Sequence, residues 1–248
     1  PAVGELASGL SGEGRLPEPE EVVEFIHNHY SANLPLNGKK VLISAGPTVE
    51  QLDPVRFISN HSSGKMGYSL AETALSLGGD VTLVSGPTNQ IISSKKIHLI
   101  NVKTGNEMYS NILDNYEDAD IVIMAAAVSD YKPKEFSQKK IKKDNKEINI
   151  KFEKTTDILN ELGKHKKNQF LVGFALENDN EIINAKTKLK NKNLDLIVLN
   201  SLNDKGAGFG YDTNKVSLIN KSDEIVTFDL KEKSMVALDI FNYIIKTI

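Results

Sequence analysis

The chain contains no cysteine, so disulfides, thiolate metal sites and a cysteine nucleophile are all excluded within it. No apolar run approaches the roughly 20 residues that a membrane helix needs. The start, Pro1-Ala2-Val3-Gly4, lacks the charged and apolar regions of a signal peptide. A cytoplasmic location is therefore expected, with no membrane partner. The missing initiator methionine and abrupt beginning point to a fragment or a processed chain. Neither His61 nor His165 stands in an HxH or HExxH arrangement, which argues against a transition-metal site at either. No Gly-x-Ser-x-Gly elbow offers a hydrolase nucleophile. A formal net charge of -3 gives no reason to expect a nucleic-acid partner.

What is present is an ordinary globular composition, 40% hydrophobic and 25% charged over 248 residues. That length suits one large α/β domain, or a domain with a small appendage, and buries a sizeable core without staples. Residues 1–20 are rich in Gly, Pro and Glu and read as a loop or linker. Residues 20–30 pattern as a short helix with Val22, Val23, Phe25 and Ile26 on one apolar face. Beyond them, short apolar runs alternate with amphipathic stretches. Strands are expected at 39–46, 80–86, 96–102, 120–128, 170–175 and 194–200. Helices are expected at 64–77, 105–116, 156–163 and 180–192, the first with Leu70, Ala74 and Leu77 on one face. This alternation gives an α/β fold, a Rossmann-like parallel sheet flanked by helices on both faces. A lysine-rich interruption at 132–146 and an alternating strand at 147–152 break the pattern once. The end differs. Residues 214–220 and 224–230 pattern as a small antiparallel extension, followed by an amphipathic helix at 235–248 through Met235, Leu238, Phe241 and Ile245. There is no internal repeat.

In an open parallel sheet, ligands bind beyond the carboxyl ends of the strands. The residues there are Ala45-Gly46-Pro47-Thr48, Ser85-Gly86-Pro87-Thr88, residues 125–131, residues 174–177 and Asn200. Two of these segments carry a Gly-Pro-Thr turn, which strand-exit geometry alone explains. Ser62-x-Gly64-x-x-Gly67, ahead of the first long helix, is a degraded Gly-x-Gly-x-x-Gly. Small residues there let backbone amides reach a phosphate at the helix N-terminus, where the dipole favours anions. A glycine-and-serine helix cap accounts for the same residues. The loop lies well after the first strand, and the second strand ends without an acidic ribose ligand, which counts against a NAD site. It is not a Walker loop either, because the upstream glycine is missing and Met66 replaces the required Ser or Thr.

After the most buried strand, Ala125-Ala126-Ala127 clears room for a flat base or sugar, and the Asp130 carboxylate suits Mg²⁺ or a ribose. Tight helix packing and a simple turn cap are the plain alternatives. Lys139-Lys140-Ile141-Lys142-Lys143 places four cations within five residues. They form either a solvated run or a mobile loop that closes over a triphosphate. Lys188 and Lys192, one helical turn apart, make a like-charge pair that is unfavourable unless something anionic lies between them. The local chemistry favours phosphate handling, where positioning and charge neutralisation do most of the catalysis.

Taken in order, the motifs become specific. Ile43-Ser44-Ala45-Gly46-Pro47-Thr48, the string from Leu52-Asp53-Pro54-Val55-Arg56-Phe57 through Ser63-Gly64-Lys65-Met66-Gly67, Ala126-Ala127-Val128-Ser129-Asp130-Tyr131, Lys140-Ile141-Lys142-Lys143 and Lys192-Asn193-Leu194-Asp195 resemble the bacterial phosphopantothenate–cysteine ligase family. The match runs from about Gly38 to the C-terminus. It implies a ligase that joins 4′-phosphopantothenate to L-cysteine, giving 4′-phosphopantothenoylcysteine in coenzyme A biosynthesis. The carboxylate would attack the α-phosphate of CTP with Mg²⁺, giving an acyl-cytidylate and pyrophosphate, and the amine of cysteine would then displace CMP. The preference for CTP over ATP comes from the resemblance, since nothing in the residues reads the base.

Carried over by motif, Asn60, Lys140 and Arg56 are the expected catalytic residues. Lys140, on a flap, would stabilise negative charge in the first half-reaction and contact the nucleotide. Asn60 would hold the acyl-cytidylate for attack by cysteine, and Arg56 would help bind the phosphopantothenate side. Gly46, Ser63, Gly64 and Lys65 would line the nucleotide site, and Met124, Ala125, Ala126 and Ala127 would bound the base. Asp130 would serve the ribose or Mg²⁺, Phe174 would pack on the nucleotide, and Lys188 and Lys192 would read the base or phosphates. Thr156, Asp157, Ile158 and Leu159 occupy the family's Pro-Asp-Ile-containing nucleotide loop, with Thr156 where proline is usual. A homodimer is implied, with the antiparallel segment 214–230 as a contact.

Leu6-Ala7-Ser8-Gly9 through Gly14-Arg15-Leu16-Pro17-Glu18-Pro19 resembles the tail of the flavin-dependent decarboxylase domain fused upstream of this ligase in many bacteria. Residues 1–37 then form a residual tail and linker, and residues 38–248 the ligase domain. The tail motif normally carries a cysteine acid where Ser8 stands, and FMN belongs to the absent domain, so decarboxylation is not expected of this chain. The competing readings are a Rossmann-type NAD(P)-binding oxidoreductase and a non-catalytic nucleotide-binding regulator. The missing ribose carboxylate and displaced glycine loop count against the first. The presence of the flap lysine and Asn60 counts against the second.

Overall fold

The computed structural model describes residues 2–5, 8–142, 147–208 and 210–248; for Ala2, Glu5, residues 26–29, Ser31 and Ala32 it describes the backbone only. Leu6 and Ala7 of the tail motif and Lys143 of the lysine run lie outside the described residues. The chain opens with an antiparallel hairpin, β1 (Ala2–Glu5) and β2 (Ser11–Arg15), and a helix, α1 (Pro19–Ala32). Then come β3 (Lys40–Ala45), a small hairpin of β4 (Val49–Gln51) and β5 (Phe57–Ser59), α2 (Lys65–Ser76), β6 (Asp80–Ser85), β7 (His98–Asn101) and α3 (Gly105–Tyr116). The second half holds β8 (Ile121–Met124), β9 (Tyr131–Pro133), β10 (Phe152–Lys154), α4 (Ile158–His165), β11 (Phe170–Glu177), α5 (Glu181–Asn191) and β12 (Leu196–Ser201). Last are β13 (Thr213–Asn214), β14 (Val216–Asn220), β15 (Ile225–Thr227), β16 (Lys231–Glu232) and α6 (Lys233–Thr247).

Eight strands form the main sheet in the order β15-β14-β12-β11-β8-β3-β6-β7. The six from β12 to β7 are parallel, and β14 and β15 continue the sheet antiparallel at one edge. The chain starts in the centre at β3, winds outward through β6 and β7, returns to β8 beside β3, and winds the other way through β11 and β12. Strand order therefore reverses between β3 and β8, and a ligand crevice opens at such a point.

Parallel strands covered on both faces read as continuous apolar runs, and β3 shows why. Val41 and Ile43 join a core with Leu70, Ala71 and Ala74 of α2 and Ile240, Phe241 and Ile244 of α6. Leu42, between them, faces the opposite layer with Met108 and Ile112 of α3, Leu162 of α4 and Leu189 of α5. The start of α3 is fixed by a capping box, with Thr104 accepting the Glu107 amide at 3.2 Å and Glu107 accepting the Thr104 amide at 3.3 Å.

The elements expected from alternation are present, with several edges displaced. The most buried strand ends at Met124 instead of Val128, because Ala127 leaves the ladder to pair with the segment after β3. Its amide donates to Gly46 at 2.9 Å, and its carbonyl accepts the Thr48 amide. Of the strand expected at 147–152 only Phe152 lies in one, at the start of β10, which pairs with β9 outside the main sheet. The antiparallel extension joins the main sheet through β12 and is not a separate unit. On α6 the buried stripe runs through Val236, Ala237, Ile240, Phe241 and Ile244, whereas Met235 is 51% exposed. The expected stripe was one residue out of phase at its start. On α1, Val23 and Phe25 are mostly exposed, so the expected apolar face is not buried there. Among the described residues, no helix is long and apolar enough to cross a membrane.

Candidate functional site

A cleft of about 740 Å³ opens at the carboxyl ends of β8, β11 and β12 and reaches under the N-terminus of α2. That size suits a nucleotide or another small molecule. One wall is main chain. β3 exits through Gly46, whose φ of 73° is left-handed and whose position leaves no room for a side chain, since a Cβ would meet the Gly86 carbonyl at 2.9 Å. Gly64, also left-handed, caps α2, which has no side-chain cap of its own. Thr88, from the second Gly-Pro-Thr turn, donates its hydroxyl to the Ser63 carbonyl at 2.6 Å and ties the loop down. Thr48, from the first such turn, accepts the Ser129 amide at 2.9 Å. Both turns are therefore tie points as well as strand exits. Ser63, Gly64, Lys65, Met66 and Gly67 line the cleft, so the first-turn amides of α2 stand at its wall with no intrahelical partners.

Asn60 sits opposite the end of β8. Its side-chain amide donates to the carbonyls of Ala127 at 3.1 Å and Val128 at 3.0 Å. Both bonds use Nδ2, so the side chain is held in one orientation with Oδ1 as its acceptor face. Ala125, Ala126 and Ala127 form a shelf beside it, and the Ala126 amide is held by Ser44 at 3.1 Å.

The far wall carries charge. Lys188 donates to the Phe174 carbonyl at 2.7 Å. Burial, reinforced by neighbouring Lys192, pulls the Lys188 pKa below the ordinary lysine value. Lys192 pairs with Asp157 at 2.8 Å, and Asp157 also caps α4 by accepting the Asn160 amide at 3.1 Å. Burial works against the Asp157 carboxylate, but Lys192, the Asn160 amide and Lys188 outweigh it and hold its carboxyl below the usual range. The like-charge pair expected on α5 thus has an anion beside it. Asp130 is exposed and borders the same cleft.

Asn60, Ser63, Gly64, Lys65, Met124, Ala125, Ala126, Ala127, Asp130, Thr156, Asp157, Ile158, Leu159, Phe174, Lys188 and Lys192 all line the one cleft. Gly46 does not line it; it lies behind the wall, against Gly64 and Gly86. Lys140 is exposed on its loop, and Arg56 is engaged with Asp53, both outside the lining. Sequence reasoning missed the floor. Lys233, 4% exposed, begins α6 and donates to the carbonyls of Gly208 at 3.1 Å and Tyr211 at 2.6 Å. Burial, with nearby Lys65, lowers its pKa. Asn214 and Asn200 stand nearby, and Asn200 Oδ1 is buried without a partner. Lys65 pairs with Asp212 at 2.6 Å across this floor. The sequence marks Asn200 as a strand end, but a lysine or asparagine beyond β12 carries no local signal of burial. Among the described residues, no group of three or more His, Asp or Glu is placed to hold a metal. A lone exposed carboxylate such as Asp130 fits a cation that arrives already held by phosphates, not a resident ion.

Residues 36–248 match the model of the DNA/pantothenate metabolism flavoprotein C-terminal domain family. The chain belongs to that family. It is 52% identical, over 99% of its own length and 70% of the relative's, to a cysteine/cysteine sulfinic acid decarboxylase from an unknown prokaryotic organism. It is 44% identical to the coenzyme A biosynthesis bifunctional protein CoaBC of Bacillus subtilis (strain 168), over 98% of this chain, and spans 61% of that protein's length. Among solved structures, the C-terminal domain of the coenzyme A biosynthesis bifunctional protein CoaBC is 39% identical with a TM-score of 0.74, covering 87% of this chain and 98% of that one. The matched residues include the motif-bearing loops and leave out the N-terminal hairpin and α1.

Proposed function

We propose that the chain is a CTP-dependent phosphopantothenate–cysteine ligase that runs both half-reactions in this cleft. The observation that supports it best is the convergence on one space of a glycine-capped helix N-terminus, an alanine shelf and the pinned amide of Asn60. The base would lie against Phe174 and the shelf, and the triphosphate against the amides of Ser63, Gly64 and Lys65. Asp130 would hold the ribose or a Mg²⁺ carried on the phosphates, which when bound neutralises phosphate charge. Lys65 would exchange Asp212 for phosphate, with Lys188 and Lys192 adding positive charge.

In the first step, a carboxylate oxygen of 4′-phosphopantothenate bonds to the α-phosphorus, and the bond from that phosphorus to pyrophosphate breaks. Lys140 would neutralise the charge that develops. In the second, the amine of L-cysteine bonds to the acyl carbon, the bond to CMP breaks and the amine loses a proton. Asn60 Oδ1, fixed by the two Nδ2 bonds, would accept from that amine. A homodimer belongs to the same reading.

The test supplies 4′-phosphopantothenate, cysteine, Mg²⁺ and either CTP or ATP, and follows pyrophosphate and amide separately. No pyrophosphate with either nucleotide would sink the ligase reading. Asn60→Asp removes two donors, each worth about 1 kcal/mol, so amide formation should fall about thirtyfold at ~1.4 kcal/mol per decade. Pyrophosphate release should persist and acyl-cytidylate accumulate. Equal loss of both steps would take Asn60 out of the second one.

A further inference from the structure

The lysine loop is fastened to the protein at two points, and the fastening lies outside the cleft. The Asp53 side chain is fully buried. Its Oδ1 accepts the amides of Val55 and Arg56, both at 2.8 Å. Its Oδ2 accepts Arg56 Nε at 3.0 Å, Arg56 Nη2 at 2.5 Å and the amide of Ile141 at 3.1 Å. The same Nη2 donates to the Ile141 carbonyl at 2.8 Å. Both backbone groups of Ile141 are therefore gripped by one ion pair more than eighty positions away in the chain. On the other side of Lys140, the Ser137 amide donates to the Leu52 carbonyl at 3.1 Å, and the Ser137 hydroxyl donates to the Lys139 carbonyl at 2.6 Å. Lys139 and Lys140 thus sit on a short span hung at both ends from the turn at residues 52–56.

We infer that Asp53 is a positioning residue: with Arg56 it clasps the backbone of Ile141 and so fixes where Lys140 stands. The role of Lys140 rests on the ligase reading, whereas the clasp is a matter of geometry. Only a carboxylate serves here, because an asparagine offers one acceptor oxygen where Asp53 uses two. Arg56 serves the same end, since its planar fork spans Asp53 and Ile141 together, which a lysine cannot do. Three of its five guanidinium N–H donors, one on Nε and two on Nη2, are engaged in this grip, which gives Arg56 a supporting role for the loop.

Two variants of the full chain test this, Asp53→Asn from one side and Ile141→Pro from the other, the latter removing the gripped amide without touching the ion pair. Limited trypsin digestion without nucleotide reads the clasp. Cleavage after Lys139 and Lys142 should become about tenfold faster in both variants, the loss expected for one hydrogen bond to a charged group, whereas cleavage after Lys140 reports only in Asp53→Asn, since trypsin does not cut ahead of a proline. Cleavage after exposed Lys95 should stay unchanged, which separates loop release from general unfolding. In the pyrophosphate assay, kcat should fall toward that of Lys140→Gln while the KM for CTP stays within about twofold. Unchanged loop cleavage in Ile141→Pro overturns the clasp even where Asp53→Asn folds poorly. Faster cleavage with unchanged kcat overturns the positioning role. If the parent chain releases no pyrophosphate, the ligase reading fails and takes the role of Lys140 with it, while the digestion still decides the clasp.

Discussion

Gly67→Ala probes the phosphate seat with a single methyl group. A Cβ at residue 67 would lie 2.5 Å from the Cβ of Ala45 and 3.0 Å from both the Ala45 Cα and the Ser44 carbonyl, against an ordinary contact of 3.4–4 Å. None of these atoms is the end of a flexible side chain. They belong to β3, whose Ser44 and Ala45 are wholly buried, so the first turn of α2 must lift by nearly 1 Å. Overpacking of this kind costs about 1–3 kcal/mol, offset in part by the better helix propensity of alanine, which is worth up to about 1. A domain of this size loses roughly 2–4 °C of Tm per kcal/mol, so the melt should fall by about 2–8 °C. The larger effect is on binding. A hydrogen bond of about 2.9 Å stretched by nearly 1 Å is no longer one, and one amide-to-phosphate bond is worth about 1.5–3 kcal/mol. Nucleotide affinity should drop about ten- to a hundredfold by isothermal titration. A Gly67→Ala chain that binds CTP and ATP within twofold of the parent, and melts within a degree of it, would refute the seat.

Lys188→Met keeps the length of the side chain and removes its charge and its bond to the Phe174 carbonyl; nucleotide affinity should fall about tenfold. Because burial lowers the Lys188 pKa, parent affinity should decline with rising pH before 10.5 is reached, and titration between pH 7 and 10 checks this. An affinity flat with pH, together with a wild-type Lys188→Met, would remove that lysine from the site. At the opposite end of the sheet, Asp195 pairs with Lys166 and Lys221 and accepts the Leu171 amide at 2.7 Å. Burial opposes its ionisation, but these partners outweigh it, so its folded pKa lies below the ordinary 3.8. Its stabilisation is therefore complete above that pH and is lost as the pH falls through the lower folded value. Asp195→Asn should melt several degrees below the parent at pH 7, and the difference should shrink as the pH falls below 3.8; a constant difference would contradict the linkage.

The sheet was legible because β3, β6, β8, β11 and β12 are buried on both faces and so carry unbroken apolar runs. What escaped depends on distant partners. Ala125, Ala126, Ala127 and Val128 are as apolar as the strand before them, and their departure from the sheet is decided by Gly46, Thr48 and Asn60. The phase of α6 follows from burying Lys233 at its first turn, which no periodicity announces. Within the site, glycine and alanine at strand ends gave away the loop and the shelf, since small residues there have few other reasons to cluster. Lys233 and Asn214 did not show, because a lysine at a helix start reads as solvated until the carbonyls of Gly208 and Tyr211 are known to meet it. Asp53 read as part of a turn, and its second task became visible only with Ile141 beside it.

Three glycine backbones meet behind the cleft. A Cβ on Gly64 would stand 3.4 Å from the Cα of Gly46, one on Gly46 would stand 2.9 Å from the Gly86 carbonyl, and one on Gly86 would overlap the Pro47 carbonyl. The donors above them are peptide groups ordered when the chain folds, with no rotamers left to lose when an anion arrives. Lys65 is different, because it must abandon Asp212 and settle a long side chain against the ligand. The cleft therefore divides the entropy of binding unevenly, with a wall that is rigid beforehand and a cation that orders late. Phosphate placement would follow the contour of the main chain, while Lys65 responds to charge already in place.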